Sequence, residues 1–189
     1  MKLKKRFLCV SFIVAWLLIA ISIVTIGWAS TWKGLLIPTM TPVFADMRTV
    51  QGALQSIAQG LNPQINNPGD PWGRVMNYPS IWIAIAQMLD LNNEANYLVF
   101  VLIAVFGFLY CCYSIVSKSD SIWALFCVLS GAALLAVERG NSDLIVFTLL
   151  FLSAKITSFS RVLPIAAATT LKIFPVLVLP VFIKDKKYC

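Results

Sequence analysis

The sequence predicts an all-α integral membrane protein, a polytopic helical bundle with a long polar loop on the outer side of the membrane. Three observations support this fold class. Of the 189 residues, 59% are hydrophobic and only 12% are charged, a composition that excludes an ordinary soluble domain. Several apolar runs are long enough to cross a bilayer core of roughly 30 Å. Basic residues flank these runs near both ends of the chain.

Composition also excludes several classes of function. The chain has no histidine, which rules out histidine acid–base catalysis, histidine-activated nucleophiles and imidazole metal ligands. The net charge is +7, but the basic residues cluster beside apolar runs and form no stripe that would bind nucleic acid. The five cysteines lie in apolar runs or at the last position, without metal-ligand spacing. We therefore expect neither a nucleic-acid partner nor a cysteine metal site.

The first membrane span is predicted at residues 7–29. This apolar run follows a basic cluster made of Lys2, Lys4, Lys5 and Arg6, which predicts a cytoplasmic N-terminus by the positive-inside rule. A cleaved signal peptide is the alternative, but the apolar run exceeds the usual length and no A-x-A site follows it. The segment is therefore interpreted as an anchor, in the plasma or inner membrane if the protein is bacterial.

Residues 30–96 contain the long polar loop, which the first span predicts on the outer side. Asparagine, proline and glycine recur between residues 60 and 73, and such a dense series of breakers predicts coil rather than helix or strand. The apolar run at 79–89 is too short to cross a membrane. It predicts a helix that lies in the outer interface or enters the membrane only partly.

An amphipathic helix is predicted near the start of this loop. Thr41 is the expected N-cap, Pro42 the first helical residue and Gln59 the approximate end. On a helical wheel, Arg48 belongs to the polar face, whereas Asp46 falls at the border of the apolar face. We therefore expect no salt bridge between these two residues, and Asp46 would be a lone carboxylate pointing toward the membrane side.

Four more membrane spans are predicted, at residues 97–116, 122–137, 144–159 and 162–183. If the segment 79–89 does not cross the membrane, the charged residues 138–143 lie on the same outer face as the polar loop. The last span contains Lys172 at its centre, which costs about 2.5–3.5 kcal/mol on insertion scales. Either Lys172 faces the bundle in one kinked span, or it lies at an outer turn between two half-helices. The second arrangement is favoured because it returns the last lysines to the inner side.

Five short motifs, taken together, resemble a known enzyme family. They are F-A-D at 44–46, N-P at 62–63, N-Y-P at 77–79, R-G-N-S-D at 139–143 and L-K-I-F-P at 171–175. Their order is similar to that in GT-C glycosyltransferases, specifically the polyprenol-phosphate-mannose-dependent mannosyltransferase-like family. The resemblance covers nearly the whole chain, and R-G-N combined with L-K-I-F-P is its most specific part.

The resemblance implies an enzyme that transfers a sugar, with mannose as one candidate, from a polyprenyl-phosphate donor to an acceptor hydroxyl at the outer membrane face. Asp46 is then the expected catalytic base. Some enzymes of this type bind a divalent metal through paired acidic residues, but Met47 and Arg48 follow Asp46 here, so no cofactor is expected. Family members have several more spans, which predicts that this chain is an N-terminal portion, GT-C-like, whose fold a further membrane chain would complete.

The resemblance also suggests binding residues, each with a structural alternative. Arg139 and Lys172 are expected to hold the donor phosphate. Arg139 could instead anchor the chain at the interface, Lys172 could pair with Asp143 or Glu138, and Asp46 could stabilise a helix start. Further candidate substrate-binding residues are Arg48, Asn77, Tyr78, Asn141 and Asp143. A non-catalytic membrane subunit and a small transporter-like protein are the alternative functions.

Overall fold

The computed structural model of the protein describes residues 2–178, and these residues form helices and connecting turns without a β-strand. Nine α-helices follow one another in this part of the chain: α1 Lys2–Ile26, α2 Trp28–Gly34, α3 Ala45–Ala58, α4 Ile81–Met88, α5 Glu94–Lys118, α6 Ile122–Val128, α7 Gly131–Arg139, α8 Asp143–Lys155 and α9 Val162–Leu171. Two short 3₁₀ turns, Phe159–Arg161 and Phe174–Val178, flank α9. The all-α fold class is confirmed for the described residues.

Three of these helical segments are long and apolar enough to cross a membrane: Leu3–Ile26, Glu94–Lys118 and Ile122–Arg139. The third consists of α6 and α7, which are separated by a break at Leu129 and Ser130. The Ser130 hydroxyl caps α7 by accepting a hydrogen bond from the backbone N–H of Ala133. Three such helices within residues 2–178 indicate a membrane protein.

The helices in the fourth and fifth predicted spans are shorter than the sequence suggested. Helix α8 has 13 residues and α9 has 10, so at about 1.5 Å per residue each is shorter than a bilayer core of roughly 30 Å. Helix α9 ends at Leu171, and the next residue, Lys172, adopts an extended conformation. Pro175 follows three residues later, and a proline disfavours the helical conformation of the residue before it. The second half of the predicted 162–183 span and Lys184, Lys186 and Lys187 lie outside the described residues.

Helices α8 and α9 form an antiparallel hairpin. At one end of it, Lys172 Nζ lies 2.6 Å from Asp143 Oδ1, which joins the end of α9 to the start of α8. At the other end, Lys155 Nζ lies 3.4 Å from the Ser114 hydroxyl near the end of α5. Lys172 therefore occupies a turn at the same end of the bundle as segment 138–143.

Helix α3 begins later than predicted. The Thr41 cap is wrong: the residue before the helix is Phe44, in a left-handed conformation with a φ of 61°. The phenol of Tyr97 in α5 donates a 2.7 Å hydrogen bond to the Phe44 carbonyl oxygen, so a contact with α5 stabilises the turn that starts α3. Arg48, which the helical wheel places on the polar face, is buried, and so is Gln51.

The coil after α3 is ordered because it packs closely against that helix. Gly52 and Gly69 touch through their backbones: a Cβ on Gly52 would lie 2.4 Å from the Asp70 nitrogen, and one on Gly69 would lie 2.3 Å from the Gly52 oxygen. The hydroxyl of Ser56 donates a 2.8 Å hydrogen bond to the side chain of buried Asn67. The coil is therefore held against the middle and the last turn of α3.

Candidate functional site

Asp46 lies in the first turn of α3, where its carboxylate contacts two segments that are distant in sequence. Its Oδ2 accepts a 2.7 Å hydrogen bond from the side-chain amide of Asn141, 95 residues away. Its Oδ1 lies 3.5 Å from Arg74 Nη1 in the coil after α3. About 22% of the side chain is exposed, so the carboxylate is oriented by two partners and still accessible.

Arg74 is itself held in place by Asp70. The Asp70 carboxylate is fully buried and accepts hydrogen bonds from Arg74 Nη2 at 2.8 Å and Nε at 3.1 Å, from the backbone N–H of Arg74 and Trp72, and from the Thr49 hydroxyl. Burial alone would raise the pKa of Asp70, but the bonds from Arg74 and the two backbone N–H groups hold it below its usual value. The Asp70–Arg74 pair ties the coil together and also reaches Asp46.

A second ion pair lies beside the first one. Asn141 Oδ1 accepts a 2.8 Å hydrogen bond from the backbone N–H of Asp143, and Asp143 pairs with Lys172 at 2.6 Å. The side chains of Asp143 and Lys172 are 49% and 24% exposed. Asp46, Asn141, Asp143 and Lys172 are thus linked in one polar cluster, which brings together four residues that the sequence singled out.

Tyr78 also faces this cluster. Burial, together with the negative charge of Asp46, raises the pKa of Tyr78 to about 12. The phenol is therefore neutral at ordinary pH and can donate a hydrogen bond. Its ring packs edge-on against Trp82, with 6.2 Å between the ring centroids, so helix α4 positions the side chain.

Three other predicted residues lie apart from the cluster or only near it. The guanidinium of Arg48 is buried, pairs with both carboxylate oxygens of Glu94 at 2.6 and 2.7 Å, and lies over the Tyr97 ring. Such an arrangement is typical of a structural ion pair. Asn77 is exposed. Arg139 Nε lies 3.0 Å from the fully buried carboxylate of Glu138, so Arg139 and Lys172 pair with different acidic residues.

The sequence did not reveal two of these arrangements. No pattern in the sequence connects Arg74 with Asp46, 28 residues earlier, although the two side chains lie 3.5 Å apart. Glu138 was expected in a charged segment on the outer face; it is fully buried and accepts hydrogen bonds from the Met40 backbone N–H at 3.1 Å and the Trp28 indole at 3.4 Å. The Arg74 contact depends on how the coil folds back onto α3, and the Glu138 contacts depend on how Met40 and Trp28 pack against α7.

An apolar groove leads away from the cluster. Its volume is about 460 Å³, within the usual range of small-molecule sites. Helices α5 to α8 supply its walls, and Asp143 contributes to the lining beside Leu144. The other lining residues are Phe108, Cys112, Ile115, Ala124, Cys127, Val128, Ala133, Ala136 and Phe147.

The described residues bring together no group of three or more Cys, Asp or Glu side chains that could hold a metal ion. The chain matches no family model, and comparisons with curated proteins and with solved structures find no significant similarity.

Proposed function

We propose that this protein is a membrane glycosyltransferase of the GT-C type. In this proposal it moves a sugar, with mannose as one candidate, from a polyprenyl-phosphate donor to an acceptor hydroxyl. The observation that carries the proposal is the hydrogen bond between Asp46 and Asn141. It connects the F-A-D and R-G-N motifs, and L-K-I-F-P joins the same cluster through Lys172 and Asp143.

Asp46 is the proposed general base. A carboxylate offers about four lone-pair positions, and Asn141 and Arg74 occupy one on each oxygen. A remaining lone pair can accept the proton of the acceptor hydroxyl as its oxygen attacks the anomeric carbon. The bond between that carbon and the phosphate oxygen breaks, and polyprenyl phosphate leaves with the electron pair. A phosphate leaves without needing an acid, so one base suffices for this inverting displacement.

Lys172 is the proposed partner of the donor phosphate, and Arg139 is a second candidate. Lys172 provides a flexible ammonium at the cluster that contains Asp46, whereas Arg139 is held by Glu138 and by the Pro38 carbonyl oxygen. A lysine binds phosphate as a point charge and can change partner at low cost because its stem is flexible. The contacts therefore favour Lys172 over Arg139 for this role.

We further propose that the cluster lies at the outer membrane face, with a cytoplasmic N-terminus. The cluster is at one end of the apolar helices, and Lys5, Asp120 and Lys155 are at the opposite end. A basic end toward the cytoplasm satisfies the positive-inside rule. A transporter site is expected near the bilayer midplane, so a cluster at the helix ends favours a transferase over a transporter.

A transfer assay in membranes tests the proposal. Membranes from cells that express the chain retain any further membrane chain that it requires as a partner. They are supplied with polyprenyl-phosphate sugars carrying a radioactive sugar, and lipid and protein acceptors are then separated. We expect transfer above that of membranes from cells lacking the chain. If membranes with and without the chain transferred equal amounts of sugar from every donor, the proposed function would be refuted.

A further inference from the structure

The Asp143–Lys172 pair and the apolar groove meet at one residue. Asp143 pairs with Lys172 at 2.6 Å and also lines the groove between helices α5 and α8. The rest of the groove lining is apolar apart from two cysteines, and it extends to Ile115, close to the opposite end of α5. An ion pair at the end of a long apolar groove matches the two parts of an amphiphile, a charged head and a hydrocarbon chain.

Charge decides which head group fits. Lys172 supplies a positive charge at this end of the groove. The Asp143 carboxylate already occupies the place where an anion would pair with it. A phosphate monoester carries a charge of about −1.5 to −2 at neutral pH and has three acceptor oxygens. It therefore attracts Lys172 more strongly than one carboxylate does. A neutral head group would have to compete with an existing ion pair and would gain no charge interaction.

We propose that Asp143 is an internal substitute for the ligand's phosphate. When a single-chain lipid monophosphate places its chain in the groove, its head group displaces Asp143 from Lys172. Asp143 thus weakens the binding of the ligand and favours its release. The polyprenyl nature of the lipid rests on the proposed function, whereas the displacement rests on the contacts of Asp143.

The displacement requires little rearrangement. Asp143 is 49% exposed and Lys172 is 24% exposed, and ion pairs that water can reach contribute little to stability. Asp143 begins α8, so its carboxylate can rotate toward solvent while its backbone N–H still donates its hydrogen bond to Asn141 Oδ1. Asn141 also holds Asp46, so the position of the base does not depend on the ion pair.

Cys127 provides a native reporter of the groove. It lines the groove and is exposed, whereas Cys111 and Cys112 are buried. A hydrocarbon chain in the groove should cover the Cys127 thiol and slow its reaction with N-ethylmaleimide. Mass spectrometry of the separated peptides measures each cysteine without changing the sequence, and Cys111, which is buried and does not line the groove, serves as the internal control.

The experiment uses the purified full chain in lipid nanodiscs and polyprenyl monophosphate without a sugar. Binding and Cys127 protection are measured for the parent, Asp143→Asn, Asp143→Ser and Lys172→Met. Because the phosphate must displace Asp143 from Lys172 in the parent but meets no such competitor in the variants, we expect both Asp143 variants to bind about two- to tenfold more tightly. We expect Lys172→Met to bind about tenfold less tightly, since it loses a charge-assisted contact.

Two further probes separate the head group from the chain. Polyprenol, which lacks the phosphate, should bind the parent and the Asp143 variants with equal affinity. Inorganic phosphate should leave the reaction of Cys127 unchanged because it has no chain to cover the groove. Protection of Cys127 by inorganic phosphate, or none by saturating polyprenyl monophosphate, would contradict the role of the groove.

The displacement would be contradicted if both Asp143 variants bound polyprenyl monophosphate as weakly as the parent or more weakly, or if no form bound it. Its failure can be distinguished from failure of the proposed function because no sugar transfer is measured. Tighter binding by the Asp143 variants without any sugar transfer in membranes would refute only the proposed glycosyltransferase function. Transfer that depends on Asp46, with binding insensitive to Asp143, would refute only the displacement.

Discussion

The side-chain amide of Asn141 donates a 2.7 Å hydrogen bond to the Asp46 carboxylate and so joins the start of α3 to the turn between α7 and α8. Asn141 also accepts a hydrogen bond from the backbone N–H of Asp143. One amide therefore fixes the positions of a candidate base and of a candidate phosphate site. The proposed reaction requires both groups to face the same donor molecule.

The first prediction concerns Asp70. Asp70→Asn should lower the free energy of unfolding by about 3–5 kcal/mol, since it removes one partner of a largely buried ion pair. The Asp70 side chain is fully buried and accepts bonds from Arg74, Trp72 and Thr49. Chemical unfolding of the detergent-solubilised protein measures the change. Asp120→Asn, which affects an exposed pair with Lys5, is the matched control and should cost less than about 1 kcal/mol.

The second prediction is a dependence of stability on pH. The pKa of Asp70 is lower in the folded protein than its ordinary value of 3.8, so its ionised form is the one that stabilises the fold. This contribution is fully present above about pH 5 and is lost as the pH falls through the folded pKa. The free energy of unfolding should therefore fall below about pH 4 in the parent and less steeply in Asp70→Asn. Equal slopes for the two proteins would contradict this assignment.

The third prediction tests the close approach of the coil to α3. Gly52→Ala places a Cβ 2.4 Å from the Asp70 backbone nitrogen, so the coil must move and the Asp70 contacts must loosen. We expect a loss of about 1–3 kcal/mol in the free energy of unfolding. Gly34→Ala is the control because a Cβ there meets nothing within 4 Å. A similar stability for both variants would mean that the coil is not held against the helix.

The fourth prediction concerns topology. A single cysteine in the polar loop can report on which side of the membrane the loop lies. Ile65 is a suitable position because it is 76% exposed, whereas a cysteine at Gly69 would collide with the Gly52 oxygen. In intact cells, a membrane-impermeant maleimide should label Ile65→Cys and leave Lys118→Cys unlabelled, because Lys118 belongs to the basic end. Each signal is compared with that of the parent chain. Labelling at Lys118 but not at Ile65 would reverse the proposed orientation.

Much of the fold could be predicted because apolar runs and breaker residues are local signals. The run at 97–116 corresponds to a longer helix, Glu94–Lys118, and the run at 122–137 corresponds to the broken segment Ile122–Arg139. Local signals failed where a distant residue decides the structure. Tyr97 stabilises the turn at Phe44, so α3 begins at Ala45 rather than at the expected Thr41 cap.

The candidate site was predictable only in part for the same reason. Motif resemblance singled out Asp46, Asn141, Asp143 and Lys172, which the fold brings together. Arg48 was a candidate as well, since the helical wheel placed it on the polar face. A wheel shows which residues share a face but not which face another helix covers. Glu94 in α5 pairs with Arg48 and buries it. The contact between Arg74 and Asp46 depends on the path of an irregular coil, which no periodic pattern predicts.

The most direct test of the proposed function is the turnover of Asp46→Asn in the membrane transfer assay. The substitution keeps an oxygen that can accept the bond from Asn141, but it removes the ability to take a proton. General-base catalysis contributes about 10²- to 10⁴-fold, so turnover should fall by that factor while the donor binds as in the parent. Asp90→Asn, which alters an exposed turn, is the control and should retain full turnover. Turnover of Asp46→Asn within about twofold of the parent would contradict the role of Asp46 as the base.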